Sequence, residues 1–175
     1  MNAKQKIERT KSFPVYVISG IAEGKTRLSA FDGALRAAGI ANFNLLHLSS
    51  VIHFCGEVIV EKPPAIFFVD EKIGNRLYVV YARQEEDEPG KQACAGLGWA
   101  LTVNNPRYGL FVEHMGRSEA DVVENINRSL SCMTEGRKRE CGHVFGETRH
   151  SVSSITCEKM PVCAVVIAVY KDEPW

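Results

Sequence analysis

Apolar residues come in short runs along this chain, and their period changes wherever glycine, proline or charge intervenes. Residues 13–19 (FPVYVIS) are β-branched and aromatic and predict a strand. Residues 20–25 (GIAEGK) predict a glycine-rich turn. From 26 to 38 the spacing becomes helical, with Leu28, Phe31 and Leu35 on one face and Gly39 as the stop. Residues 43–48 predict a second strand, which runs straight into the pair Ser49-Ser50. The opening of the chain is therefore expected to fold as a β-loop-α-β unit.

Further on, short strands are expected at 57–60 and 65–69, either side of Pro63-Pro64, and at 77–82. Residues 84–90 (QEEDEPG) read as a solvated acidic loop. Residues 93–103 predict a buried strand whose glycines permit close approach, and 108–113 predict its return after a turn at Asn104-Asn105-Pro106. Ser118 to Asp121 has the form of a capping box. It opens an amphipathic helix with Val122, Val123, Ile126, Leu130 and Met133 along one side, expected to end before Gly136. Arg137-Lys138-Arg139 reads as solvated charge. Strands at 152–157 and 162–170 complete the chain. Many strands, two main helices and no repeat or linker predict one α+β domain over residues 1–175.

Composition narrows the class. The chain is 45% hydrophobic and 24% charged, as ordinary globular proteins are. Lys+Arg and Asp+Glu each total 21, so bulk charge draws it to neither nucleic acid nor membrane. Residues 1–11 are polar and lack the apolar core of a signal peptide. The longest apolar run, 162–169, suits a buried strand and not a membrane span. A cytoplasmic location is expected. The 6 cysteines form no CxxC pair and are expected as reduced thiols. A zinc site from Cys132, Cys141, His143, His150 and Cys157 matches no familiar ligand spacing, and no metal is expected.

Several residues carry candidate chemistry. A serine beside a strained peptide bond can attack the carbonyl before it, and the N→O acyl shift gives an ester. β-Elimination then cuts the chain and leaves a dehydroalanine, which hydrolyses to an N-terminal pyruvoyl group. The reaction needs a placed hydroxyl, an oxyanion donor and backbone strain. Most serine pairs merely finish a strand, and the Ser49-Ser50 pair by itself leaves both readings open. Residues 20–26 (GIAEGKT) sit between strand and helix as a phosphate loop does. One residue is missing between Gly20 and Gly24, however, and Glu23 puts a carboxylate where the anion belongs; a tight turn is expected. Asp32 borders the apolar helix face and can take either Arg36, one turn along, or the guanidinium of a ligand. Glu113 closes its strand, where a semi-buried pocket would make it a proton donor. His47, His53 and His114 are further acid–base candidates. Ser153-Ser154 is expected to be structural.

The ordered run Ala30-Phe31-Asp32-Gly33-Ala34-Leu35, Ala38-Gly39-Ile40, Asn42, Asn44-Leu45 and Leu48-Ser49-Ser50 resembles the pyruvoyl-dependent arginine decarboxylases. So do Glu23-Gly24, Gly109-Leu110 through Glu113 with Gly116, and Cys157-Glu158-Lys159 before the strand that ends Tyr170-Lys171. The resemblance implies a four-layer αββα sandwich, assembled as trimers or hexamers with active sites between subunits. It implies self-cleavage between Ser49 and Ser50 into residues 1–49 (the β chain) and 50–175 (the α chain), the latter beginning with a pyruvoyl group made from Ser50. Asn44 matches the asparagine that assists cleavage, Glu113 the catalytic proton donor, and Asp32 the carboxylate that takes the substrate guanidinium. The implied reaction converts L-arginine to agmatine and CO₂, with the covalent pyruvoyl as electron sink and neither metal nor pyridoxal phosphate. Two departures bear on specificity. Val51-Ile52-His53-Phe54-Cys55-Gly56 replaces a proline-containing turn, and Ala41 stands where glycine is common. Another basic amino acid is the alternative substrate, and a nucleotide-binding module built on residues 20–26 the alternative class.

Overall fold

Strand β9 (Val162–Glu173) shows how a period of two becomes layers. Val162, Ala164, Val166 and Ala168 enter one core while Cys163, Val165, Ile167 and Val169 enter another. All eight are buried, so the strand is covered on both faces. The structure, a computed structural model, describes residues 14–53, 57–62 and 70–175.

Within them lie β1 (Val15–Glu23), α1 (Arg27–Ala38), β2 (Asn44–His47), β3 (Val51–Ile52) and β4 (Val58–Ile59). After them come β5 (Arg76–Glu86), β6 (Gln92–Leu101), β7 (Gly109–Gly116), α2 (Glu119–Cys141), β8 (Arg149–Thr156) and β9. One sheet has the order β2-β5-β9-β1-β4 and the other β3-β7-β6-β8. Their inner faces meet on Val17, Val80, Leu97, Trp99, Phe111 and Val166. Helix α1 covers the outer face of the first sheet through Ala30, Ala34, Leu35 and Ala38. Helix α2 covers that of the second through Val122, Ile126 and Leu130. The expected α+β sandwich in four layers, αββα, is the observed one.

Small residues set the layer spacing. A Cβ on Gly98 would lie 2.1 Å from Ile126 Cγ2, and one on Gly96 2.7 Å from Val122 Cγ1, so α2 seats directly on β6. Gly20 does the same for α1: a Cβ there would lie 2.1 Å from the Ala34 carbonyl oxygen.

This last contact corrects the turn expected at 20–25. Strand β1 runs on through Glu23, pairing with β9 as far as Val162, and Gly20 is needed for helix packing. The same extension removes the phosphate-loop reading, because residues 20–23 are strand and not a loop ahead of the helix. Thr26 then caps α1 with a full capping box to Ser29, and Gly39, at φ 85°, ends it. Leu28, expected on the packed face, is 70% exposed; the buried side of α1 is mostly alanine.

Two other boundaries move. Residues 84–86 continue β5, and Glu86, expected in a solvated loop, is buried beside Arg117. Helix α2 passes through Gly136, where a Cβ would meet open space, and ends at Gly142. The strand expected at 65–69 lies outside the described residues. Cys94, Cys157 and Cys163 are buried small residues, and burial pushes the Cys163 thiol up to about 12. Among the described residues no helix is long and apolar enough to cross a membrane.

Candidate active site

The chain passes from one sheet to the other through Leu48-Ser49-Ser50, between edge strands β2 and β3. Leu48 N–H still donates to Val79 of β5 at 2.8 Å, whereas the Ser50 carbonyl already accepts from Phe111 of β7 at 2.8 Å. Between these anchors the Val51 N–H donates back to the Ser49 carbonyl at 2.8 Å, a three-residue γ-turn centred on Ser50. The carbonyl that a Ser50 hydroxyl would attack thus already holds a backbone donor.

Ser50 Oγ donates to the Glu113 carboxylate, 2.8 Å from Oε1 and 3.0 Å from Oε2. Alternation along β7 explains the meeting. Phe111 enters the core between the sheets, Leu110 and Val112 face α2, and Glu113 falls on the Phe111 side at the open end. His114 therefore points the other way, with Nε2 2.8 Å from Ser129 Oγ of α2. Burial lowers its pKa from the ordinary histidine value.

His47 and Tyr170 lie near the carboxylate, and Tyr81 backs the histidine. His47 Nε2 lies 3.7 Å from Glu113 Oε1, and its ring packs on Tyr81 with centroids 4.8 Å apart. Tyr170 donates its hydroxyl to the Val51 carbonyl at 3.2 Å. In the β5–β9 ladder Tyr78 pairs with Lys171 and Val79 with Val169, so Tyr170 is the extra residue of a β-bulge. Such a bulge re-aims a side chain, here toward the bridge. Burial, then proximity to Glu113, pushes the phenol up from its ordinary value, so Tyr170 is a neutral donor.

The structure brings Ser49, Ser50, Glu113 and His47 together. Asn44 opens the same strand as His47, but its Nδ2 donates to the Gly74 carbonyl at 2.6 Å. Asp32 stands on the outer side of α1, paired with Arg36 at 3.2 Å, both side chains more than half exposed. A pair so exposed is weak and easily exchanged for another cation. Among the described residues Asp32 has no contact with Ser50 or Glu113. Tyr81 was not a candidate from the sequence, and Tyr170 marked only a strand end. Tyr170 ends a fully apolar run, the one signal that could have singled it out; its aim depends on a bulge that exists only after pairing.

The fold is an αββα sandwich in which a serine between two edge strands is hydrogen-bonded to a carboxylate. The family model described as pyruvoyl-dependent arginine decarboxylase matches residues 14–174, and the chain belongs to that family. A pyruvoyl-dependent arginine decarboxylase of Thermococcus kodakarensis is 36% identical over 154 residues, 88% of this chain and 92% of the relative. That of Pyrococcus abyssi is 38% identical over 153 residues, 87% and 91% of the two chains. A solved pyruvoyl-dependent histidine decarboxylase shows a slight likeness, with TM-score 0.42 and 12% identity over 62% of this chain and 58% of that one. Membership implies a covalent pyruvoyl group, and a serine held at a γ-turn beside a carboxylate suits its formation.

Proposed function

We propose that this chain decarboxylates L-arginine to agmatine and CO₂ on a pyruvoyl group that it makes from its own Ser50. The observation that carries the proposal is the Ser50–Glu113 hydrogen bond at the crossing between the sheets.

In the processing step Ser50 Oγ attacks the Ser49 carbonyl carbon, and its proton ends on the amide nitrogen that is freed. The Val51 N–H, 2.8 Å from the Ser49 oxygen, takes the negative charge that develops there. Glu113 orients the attacking hydroxyl. Asn44 acts as a positioning residue, its amide fixing the start of β2 on the Gly74 carbonyl and so the reach of the bridge. Elimination at Ser50 then leaves residue 49 as a carboxylate terminus and residue 50 as the new chain start, with ammonia lost on hydrolysis.

A pyruvoyl group at residue 50 would supply the electron sink for the pair that CO₂ leaves behind. Glu113, beside residue 50, delivers a proton to the substrate α-carbon. Tyr170 holds the Val51 carbonyl and thereby the peptide that follows residue 50. Asp32 takes the guanidinium. Among the described residues of one chain Asp32 makes no contact with Ser50 or Glu113, and Val51, next to Ser50, is 50% exposed. A trimer or hexamer with the site between neighbouring subunits accounts for both.

Release of CO₂ from arginine, lysine and ornithine tests the reading. Turnover of arginine well above the other two is expected; equal turnover of all three defeats the specificity.

A further inference from the structure

His47 has no task in the steps given to Ser50 and Glu113, yet its Nε2 stands 3.7 Å from the carboxylate. We propose that His47 is the proton shuttle that reloads Glu113 from solvent once in every turnover. The inference rests on the decarboxylase reading of the same site and assigns it a further residue.

Stoichiometry sets the need. Decarboxylation replaces a C–CO₂⁻ bond with a C–H bond: the amino acid plus one proton gives the amine plus CO₂. Glu113, having given its proton to the α-carbon, is left as a carboxylate and idles until a new proton arrives. Its side chain is only 23% exposed, so direct access for water is restricted.

His47 meets the requirement by position. Its Nε2 is 3.7 Å from Glu113 Oε1 while its side chain is 52% exposed, so one end of the ring faces the acid and the rest faces water. The ring rests on Tyr81, which keeps it directed at β7. An imidazole carries two ring nitrogens, so it can take a proton from water at one and pass one on from the other. Among the described residues the titratable groups that face it are Glu113 from β7 and Tyr81 from β5, and Tyr170 of β9 is near enough to Glu113 to feel its charge. Tyr170 cannot serve instead, since its proton is held too firmly and is engaged with Val51. His114, next to Glu113 in sequence, is turned under α2 onto Ser129.

The test uses His47→Ala and His47→Gln in the full chain, with self-cleavage followed by intact mass and turnover by CO₂ release. Both variants are expected to cleave as wild type does. Both should lose about 10- to 100-fold in kcat, with kcat/KM for arginine changed by no more than about twofold, because reloading follows the loss of CO₂. Added imidazole should restore His47→Ala, which has room for it, in proportion to the imidazolium present, and should leave His47→Gln unchanged. A structural role would not respond to imidazole. Wild-type kcat in either variant, a loss that imidazole leaves untouched in His47→Ala, or failure of both variants to cleave overturns the shuttle. Wild-type protein that releases no CO₂ from arginine fails the decarboxylase reading itself, a result distinct from active His47 variants.

Discussion

Ser50 gives its hydroxyl hydrogen to both oxygens of Glu113, at 2.8 and 3.0 Å, although the two residues are 63 positions apart. The contact forms because β2 and β3 are edge strands of different sheets and β7 pairs with the second of them. In the proposed function this carboxylate orients a nucleophile before cleavage. Afterwards it faces whatever residue 50 has become. One acid can therefore serve both stages without any element having to move.

Glu113→Gln separates the stages. A glutamine still accepts the Ser50 hydrogen bond, so the variant is expected to cleave. It has no acidic proton to give, so kcat should fall by about 100- to 10,000-fold. Mass spectrometry and CO₂ release read the two effects independently, and wild-type turnover would remove Glu113 from the proton transfer.

Asp32→Asn should leave cleavage intact and act on substrate. A guanidinium deprived of its charged partner costs about 2 kcal/mol or more, so kcat/KM for arginine is expected to fall about 30-fold or more. Arg36→Ala frees the same carboxylate from its exposed pair and should not weaken arginine binding. A loss in Arg36→Ala equal to that in Asp32→Asn would contradict the assignment.

Gly98→Ala tests the layer packing. The added methyl would lie 2.1 Å from Ile126 Cγ2, inside α2's contact with β6. A loss of about 1–3 kcal/mol in unfolding free energy is expected from chemical denaturation. Gly136→Ala, in open space on α2, should be neutral or stabilising.

Buried Glu86 gives a pH-dependent signature. Burial pushes its carboxyl upward, but the amides of Glu88 and Asp87 and the Arg117 guanidinium outweigh it and hold the group below its ordinary value. Stability from this source is full above the ordinary carboxylate range and is lost as pH falls through the lower, folded value. Arg117→Met should therefore lower the Tm by several degrees near neutral pH. The gap to wild type should close in acid, and a gap that widens there would contradict the account.

Much of the fold and site was legible in the sequence. Thr26 and Gly39 mark the ends of α1 because capping is local, and Thr26 Oγ1 does accept from Ser29 N–H at 3.0 Å. The alternating residues of β9 show two buried faces without any partner in view. What failed was non-local. Gly20 looks like a turn until Ala34 is found above it, and Glu86 looks solvated until Arg117 folds back on it. The serine pair, Glu113 and Asp32 stood out through the family resemblance. The neighbourhood of His47, Tyr81 and Tyr170 did not, since it depends on which strand ends lie side by side and on a bulge at Tyr170.

Intact mass of the purified protein, with and without borohydride, reaches the central claim most directly. Two polypeptides are expected, residues 1–49 and 50–175, the longer with a blocked N-terminus and gaining hydride on reduction; Ser50→Ala should stay whole. An active preparation in which wild-type protein remains one unbroken chain, with no reducible carbonyl, contradicts it.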